Sequence, residues 1–147
     1  MIVIRIPTTK EEFKAYYALR YKILREPLGQ PRGTEKDDYE PISQHFMAVE
    51  DATGEIIGVV KLFKKNKETA QFSHLAVDDK FQKKGIGKML VDFVENKSRE
   101  EGYIKIGTLS RLTATKFYEK LGYAPMGITG VLFGKLQMMW LEKNLTE

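Results

Sequence analysis

The 147-residue sequence contains no cysteine, no long apolar run and no block of basic residues. The missing cysteine excludes disulfides, thiolate metal ligands and a cysteine nucleophile. No apolar segment approaches the roughly 20 residues that a membrane-spanning helix needs, and the N-terminus does not have the pattern of an export signal. We therefore expect a cytoplasmic protein that neither enters a membrane nor uses a metal cofactor.

Charged residues of both signs occur along the whole chain, and the formal net charge is +4. This mild excess could favour an anionic ligand or could only keep the protein in solution. A nucleic-acid-binding domain would need aromatic residues between exposed lysines, whereas the aromatic residues here mostly have the spacing of buried positions. The sequence therefore predicts no nucleic-acid partner, and its length predicts a single domain over residues 1–147.

The first part of the chain predicts a strand, a helix and a long loop. Residues 2–6 alternate as a strand does, and Thr9 followed by Glu12 is a capping box that begins a helix. Pro27 ends the helix, and residues 28–41 form the longest irregular stretch, a kind of loop that often has a function. The face of this helix that we expect to be buried consists of Phe13, Tyr16, Tyr17, Arg20, Ile23 and Leu24.

The rest of the chain predicts two more helices and six more strands. The helices are expected over residues 85–101, with Ile86, Met89, Leu90, Phe93 and Val94 on one face, and over residues 114–121. The strands are expected over residues 46–49, 56–63, 70–77, 104–109, 123–128 and 136–141. The unit from 70 to 109 is strand–helix–strand, which predicts a parallel pair with a right-handed crossover. We therefore expect an α+β fold with a mixed, mostly antiparallel sheet, one β-α-β crossover and flanking helices.

The segment from Leu75 to Lys88 predicts an anion-binding site. A strand ends, a loop follows, and Gly85 and Gly87 begin a helix. A helix N-terminus has unpaired N–H groups and a partial positive charge, and glycine allows a phosphate to approach the backbone. Three lysines add positive charge, and a diphosphate is the simplest ligand. A glycine-capped surface helix is the alternative, because the segment is neither a P-loop nor a complete G-x-G-x-x-G motif.

Two segments resemble the GNAT N-acetyltransferase superfamily. Gln82-Lys83-Lys84-Gly85-Ile86-Gly87 is similar to its Q/R-x-x-G-x-G/A motif, and Phe117-Tyr118-Glu119-Lys120-Leu121-Gly122-Tyr123 closely resembles its second motif at the expected separation. The resemblance implies the GNAT fold, acetyl-CoA between splayed fourth and fifth strands, transfer to an amine acceptor, and in many relatives a homodimer. A non-catalytic acyl-CoA-binding module is the alternative function.

The resemblance also implies which residues contact acetyl-CoA: Leu75, Ala76, Val77, Gln82, Lys83, Lys84, Gly85, Ile86, Gly87, Lys88, Arg111 and Phe117. The backbone of residues 83–88 is expected to bind the pyrophosphate, and residues 75–77 to pair with the pantetheine arm. Arg111 departs from the family, because many relatives have Asn at this position. The contact that this Asn makes in relatives is therefore either lost here or replaced by a contact between Arg111 and a phosphate.

The resemblance assigns the proton donor to Tyr118, which would protonate the leaving thiolate. A phenol of ordinary pKa, about 10, stays protonated at pH 7, although the helical spacing of Tyr118 is also that of a core residue. The Val77 N–H would polarise the thioester carbonyl. His74 is the candidate base, with a packed histidine or a chain of water molecules as alternatives, whereas His45 is expected to be packed.

The long loop contains four acidic residues, and we expect their charge to attract a protonated amine. These residues are Glu35, Asp37, Asp38 and Glu40.

Overall fold

The computed structural model describes residues 1–146, which contain seven strands and three α-helices. The strands are β1 (Ile2–Arg5), β2 (Gln44–Glu50), β3 (Glu55–Lys64), β4 (Thr69–Val77), β5 (Lys105–Arg111), β6 (Ala124–Leu132) and β7 (Leu136–Asn144). The helices are α1 (Lys10–Leu24), α2 (Ile86–Glu100) and α3 (Thr115–Lys120). Every predicted helix and strand is present, although the bounds of several differ by a few residues.

The strands follow the order β1-β2-β3-β4-β5-β7-β6 in one sheet, which confirms the predicted α+β class. Antiparallel pairing joins β1 to β2, β2 to β3, β5 to β7 and β6 to β7. The pairing of β4 with β5 is parallel, as the strand–helix–strand pattern predicts, and it joins Thr69–Phe72 to Lys105–Thr108. The chain forms two compact units, and β4 contributes residues to both.

Unit 1 consists of Met1–Phe63 and His74–Val94. The capping box that begins α1 is present, because Thr9 Oγ1 accepts a hydrogen bond from the Glu12 N–H at 3.0 Å and the Glu12 carboxylate accepts one from the Thr9 N–H at 3.4 Å. The predicted face of α1 is confirmed, and its apolar side chains pack on the buried core of the unit. That core consists of Tyr16, Leu19, Met47, Val49, Val59 and Ala76.

One prediction for α2 is wrong, because Met89 is exposed and does not belong to the buried face. The buried apolar positions are Ile86, Leu90 and Val94, spaced four residues apart, together with Val91. Successive helix positions are rotated by about 100°, so Met89 and Val91 lie on opposite sides of Leu90 in this row. Only the side of Val91 faces the core. Close packing also constrains Gly58 of β3, where an added Cβ would lie 2.9 Å from Leu90 Cδ1.

Unit 2 consists of residues 64–73 and of the described chain from Glu95 onward. Its strand β6 continues to Leu132, beyond the predicted end at residue 128. Gly127 and Gly130 have positive φ angles at two irregularities in the pairing with β7. An irregularity of this kind bends a strand without ending it. None of the helices within residues 1–146 combines the length and the hydropathy required to span a membrane.

Candidate active site

The segment after β4 is a short loop fixed by its own side chains. Asp78 accepts a hydrogen bond from the Lys80 N–H at 3.0 Å and so caps a single 3-10 turn, Asp79–Phe81. The side-chain amide of Gln82 donates to the Val77 carbonyl at 3.0 Å. Gln82 therefore fixes the loop to the end of β4, immediately before the two predicted glycines.

The turn into α2 uses two residues in the left-handed region of the backbone. Gly85 has φ 84° and Lys83 has φ 63°. Glycine adopts this conformation freely, whereas a residue with a Cβ is disfavoured there by roughly 1–2 kcal/mol. An added Cβ at Gly85 would meet no atom of unit 1 or unit 2 within 4 Å, so the space beside this backbone is open.

Positive charge surrounds the N-terminus of α2. Lys83, Lys84 and Lys88 are exposed, whereas the Ile86 side chain is buried in the core of unit 1. The first turn of this 15-residue helix contains no acidic residue, although Lys88 Nζ contacts the Asp92 carboxylate at 2.7 Å one turn later. The N–H groups of the first turn and the lysines therefore give this end of the helix a positive potential.

His74 interrupts β4, because its φ of 55° departs from the extended conformation of the strand. Its Nε2 lies 3.4 Å from an Arg25 guanidinium nitrogen, and its Nδ1 lies 3.9 Å from Asp37 Oδ2. Arginine can only donate, so Nε2 is the acceptor and the proton of the neutral ring is on Nδ1. Strained residues of this kind often occur at functional sites.

The surroundings of His74 reduce its basicity. Burial, followed by the positive charges of Arg20, Lys61 and Arg25, holds the pKa of His74 well below its usual 6.5. The ring is therefore neutral at pH 7, but its Nε2 lone pair faces a guanidinium group. His45 has both ring nitrogens in hydrogen bonds, from the Tyr16 hydroxyl at 2.8 Å and to the Glu40 carbonyl at 3.0 Å, as expected for a packed histidine.

Helix α3 of unit 2 buries Tyr118 and exposes Phe117. Only 6% of Tyr118 is accessible, against 40% of Phe117. The Tyr118 ring packs against Phe72, Phe117 and Tyr123, with centroids 5.0–5.9 Å away. Burial raises the pKa of Tyr118 above the usual value for a phenol. Within the described chain its hydroxyl has no hydrogen-bond partner, so a protonated donor is available at this position.

Arg111 is the last residue of β5, where it pairs with Met138 of β7 and is half-buried. It directly precedes the 3-10 turn Leu112–Ala114 that leads into α3. The sequence-predicted residues therefore form two groups. Unit 1 contains His74 and the segment from Leu75 to Lys88, and unit 2 contains Arg111, Phe117 and Tyr118.

The predicted attraction of the long loop for a protonated amine is not supported, because most of its acidic side chains have partners in unit 1. Glu35 is buried and accepts a hydrogen bond from the Gly33 N–H at 2.7 Å. Glu40 accepts one from Arg20 and one from Lys61, each at 2.9 Å, and Asp37 also contacts Lys61. Arg20 and Lys61 therefore compensate much of the negative charge of the loop.

Sequence analysis missed this network of two buried cations, Arg20 and Lys61, with the carboxylates of Asp37 and Glu40. Both cations are fully buried. Burial acts to raise the pKa of Glu40, but the Arg20 charge and hydrogen bonds from Lys61 and the Asp37 N–H together lower it to about 2. A signal was present in the sequence, because Lys61 lies within an apolar strand and Arg20 lies on an apolar helix face. Within residues 1–146, no three His, Asp or Glu residues are arranged to bind a metal ion.

Known proteins resemble this chain in sequence and in fold. Residues 41–125 match the family model of the acetyltransferase (GNAT) domain. A Bacillus subtilis (strain 168) protein with a provisional acetyltransferase name is 26% identical over 125 residues, 79% of each chain.

Among solved structures, a provisionally named N-acetyltransferase from Lactobacillus plantarum has a TM-score of 0.85 at 19% identity and covers 98% of both chains. A GNAT family acetyltransferase from Elizabethkingia anophelis, solved with acetyl-CoA bound, has a TM-score of 0.75 at 22% identity and covers 97% of both chains. Because the family model spans more than half of the sequence and the fold agrees, the chain belongs to the GNAT acetyltransferase family.

Proposed function

We propose that residues 1–147 form one GNAT domain that transfers the acetyl group of acetyl-CoA to a primary amine of a small molecule, peptide or protein. The turn between β4 and α2 is the observation that carries this proposal. Its left-handed Lys83 and Gly85 lead into a helix N-terminus beside exposed lysines, which suits a pyrophosphate. The Elizabethkingia relative, which has acetyl-CoA bound, supports the choice of cosubstrate.

In this proposal, the backbone N–H groups of residues 83–88 bind the pyrophosphate, and the open space beside Gly85 admits it. Leu75, Ala76 and Val77 pair with the pantetheine arm, while Gln82 fixes the loop through the Val77 carbonyl. Arg111 and Phe117 provide further contacts from unit 2. Association into a homodimer belongs to the same proposal and can be tested by sedimentation equilibrium.

Acetyl-CoA supplies a thioester, whose carbonyl carbon the neutral amine attacks. The Val77 N–H polarises the carbonyl oxygen. The C–S bond then breaks, and Tyr118 donates its proton to the leaving sulfur. The raised pKa of Tyr118 keeps the phenol protonated until a thiolate is formed beside it.

The amine must also lose a proton, and His74 is the proposed base. Its ring is neutral at pH 7, but the neighbouring Arg25 and the lowered pKa make it a weak one. A chain of water molecules is the competing acceptor for this proton. The two routes differ in one measurement, because only the histidine route loses turnover when His74 is replaced by Gln.

The first test of the proposed function is turnover. Thiol release from acetyl-CoA is measured with a panel of amines, and the best acceptor is then used with Tyr118→Phe. Loss of a general acid typically lowers the rate about 10²–10⁴-fold, so kcat should fall by that factor while the Kd for acetyl-CoA stays the same. Tyr103→Phe is the control, because this tyrosine follows α2 and has no proposed role.

Two results would contradict the proposal. If no amine releases thiol, the protein is not an N-acetyltransferase for the classes tested. If Tyr118→Phe turns over at nearly the normal rate, Tyr118 is only a packing residue.

A second test addresses the pyrophosphate-binding turn through Gly87→Leu. Leucine favours the helix more than glycine does, so α2 should persist, but its side chain would occupy the place of the phosphate. Calorimetry should show a large loss of acetyl-CoA affinity with an unchanged circular dichroism spectrum. Met89→Leu, at an exposed position of α2, is the control, and normal affinity in Gly87→Leu would refute the assignment.

A further inference from the structure

Three polar side chains of unit 2, of which two are buried and one is half-buried, have no part in the proposed reaction. Glu95 lies in the second half of α2, Tyr123 follows α3, and Lys143 lies in β7. Glu95 accepts a hydrogen bond from the Tyr123 hydroxyl at 2.8 Å, and its two carboxylate oxygens lie 3.1 and 3.2 Å from Lys143 Nζ. Only 4% of Glu95 and 3% of Tyr123 is accessible, whereas 26% of the Lys143 side chain is exposed, so this is a partly buried ion pair that shares Glu95 with a phenol.

Lys143 also fixes the C-terminal end of α3. Its Nζ donates to the Leu121 carbonyl at 2.8 Å, one of the carbonyls that a helix leaves without a partner. Gly122 allows this contact, because an added Cβ would lie 3.3 Å from Lys143 Cε, and its φ of 94° ends the helix. A helix of only six residues depends on such contacts for its position.

Tyr123 connects this group to Tyr118. The Tyr123 N–H donates to the Tyr118 carbonyl at 3.1 Å, and the two rings pack with centroids 5.9 Å apart. Phe72 touches both rings, with centroids 5.8 Å from each. Since the Tyr118 hydroxyl has no hydrogen-bond partner within residues 1–146, its direction is determined by ring packing and by the position of α3.

We propose that Glu95 and Lys143 are positioning residues, which orient the Tyr118 hydroxyl by fixing the end of α3 and the Tyr123 ring. This inference rests on the proposed function, because it assumes that Tyr118 donates the proton. The pair need not add stability, because desolvation of the buried Glu95 carboxylate offsets its attraction to Lys143, so its value here lies in geometry. A catalytic group that is displaced by about 1 Å can lose about 10²-fold in rate.

The test is a double-mutant cycle with Tyr118→Phe. Glu95→Gln combined with Lys143→Met removes both charges, so neither is left buried without a partner. We expect kcat to fall about 10–100-fold while KM for acetyl-CoA changes less than about twofold. In the Tyr118→Phe background, the same two substitutions should have no further effect on kcat, because no donor remains to be oriented.

Lys120→Met is the matched control. This lysine lies at the same end of α3 but is exposed, and its replacement should leave kcat unchanged. If the combined variant does not fold, Glu95→Gln alone provides the cycle, because it keeps the shape of the side chain and an acceptor for Tyr123 while it removes the ion pair.

An equal loss of kcat in both backgrounds would overturn the inference, since the pair would then act on the whole unit and not through Tyr118. An unchanged kcat would overturn it as well. Failure of the proposed function gives a different result, in which Tyr118→Phe by itself has no effect.

Discussion

The two units bury charge in different ways. Unit 1 contains a network of two buried cations, Arg20 and Lys61, with the carboxylates of Asp37 and Glu40. Unit 2 surrounds Tyr118 with aromatic rings and contains the single Glu95–Lys143 pair nearby. The difference follows from what each unit must fix, which is a long loop in the first and a short helix in the second.

The loop of unit 1 offers few apolar side chains, so polar groups of α1 fix it instead. Arg20 donates to the Glu35 carbonyl at 3.0 Å, and Arg25 Nε donates to the Thr34 carbonyl at 2.8 Å. The Tyr21 hydroxyl donates to the Gln30 carbonyl at 2.8 Å. Hydrogen bonds of this kind replace the regular backbone pairing that residues 28–41 mostly lack.

In unit 2, by contrast, Tyr118 lies in apolar surroundings, and the Glu95–Lys143 pair contacts its neighbour Tyr123. The rings of Phe72 and Tyr123 exclude solvent from Tyr118 and raise its pKa. In both units, therefore, a cation of an ion pair also donates to a backbone carbonyl, Arg20 to that of Glu35 and Lys143 to that of Leu121. In unit 1 the positive charges of Arg20, Lys61 and Arg25 also lower the pKa of His74.

The largest effect on stability is expected from Lys61→Met, which breaks the network of unit 1. Removal of Lys61 leaves Asp37 without its ion-pair partner and Glu40 with Arg20 alone, and breaking a buried pair in this way typically costs about 3–5 kcal/mol. The free energy of unfolding is measured by denaturant titration. Lys22→Met is the control, because this lysine is exposed and its 3.8 Å contact with Asp78 should contribute at most about 1 kcal/mol. Equal losses of unfolding free energy in the two variants would mean that the Lys61 network contributes no more stability than the Lys22–Asp78 pair.

A smaller effect is expected from acid, and it tests Glu40 directly. The pKa of Glu40 is lowered to about 2, so the carboxylate contributes stability above the unfolded-state pKa of about 4.3 and loses it as pH falls through about 2. The difference in stability between wild type and Glu40→Gln should therefore shrink as pH falls from about 4.5 to about 2. A difference that stays constant over this range would mean that Glu40 does not titrate as the network requires.

The smallest effect is expected in unit 2, from Tyr123→Phe. This change removes one hydrogen bond to a buried carboxylate, which is typically worth about 1.5–3 kcal/mol, and leaves the Lys143 ion pair and the ring packing in place. Thermal or denaturant unfolding measures the loss, with Tyr103→Phe as the control. A loss larger than that of Lys61→Met would reverse the comparison between the two units.

Local and periodic features of the fold were predictable from the sequence. The Thr9–Glu12 capping box depends on residues three apart, and the parallel pairing of β4 with β5 follows from the intervening helix. The glycine-containing turn before α2 was found for the same reason, since all its groups are consecutive in the chain. The predictions that failed concern the buried face of α2, at Met89, and the end of β6. Neighbouring elements decide which helix positions are buried and how far a strand is paired.

By itself, the sequence determined the order of the elements, the family motifs and the identity of Tyr118 as the candidate donor. Only the tertiary structure decided which charges have partners. Glu95 and Lys143 are 48 positions apart, and Lys61 is 24 positions from Asp37, so no local pattern connects them. The pairing of these charges depends on long-range packing, and so does the Tyr118 hydroxyl, which has no hydrogen-bond partner within residues 1–146. A charge or a phenol is stabilised or isolated only by the groups that the fold places around it.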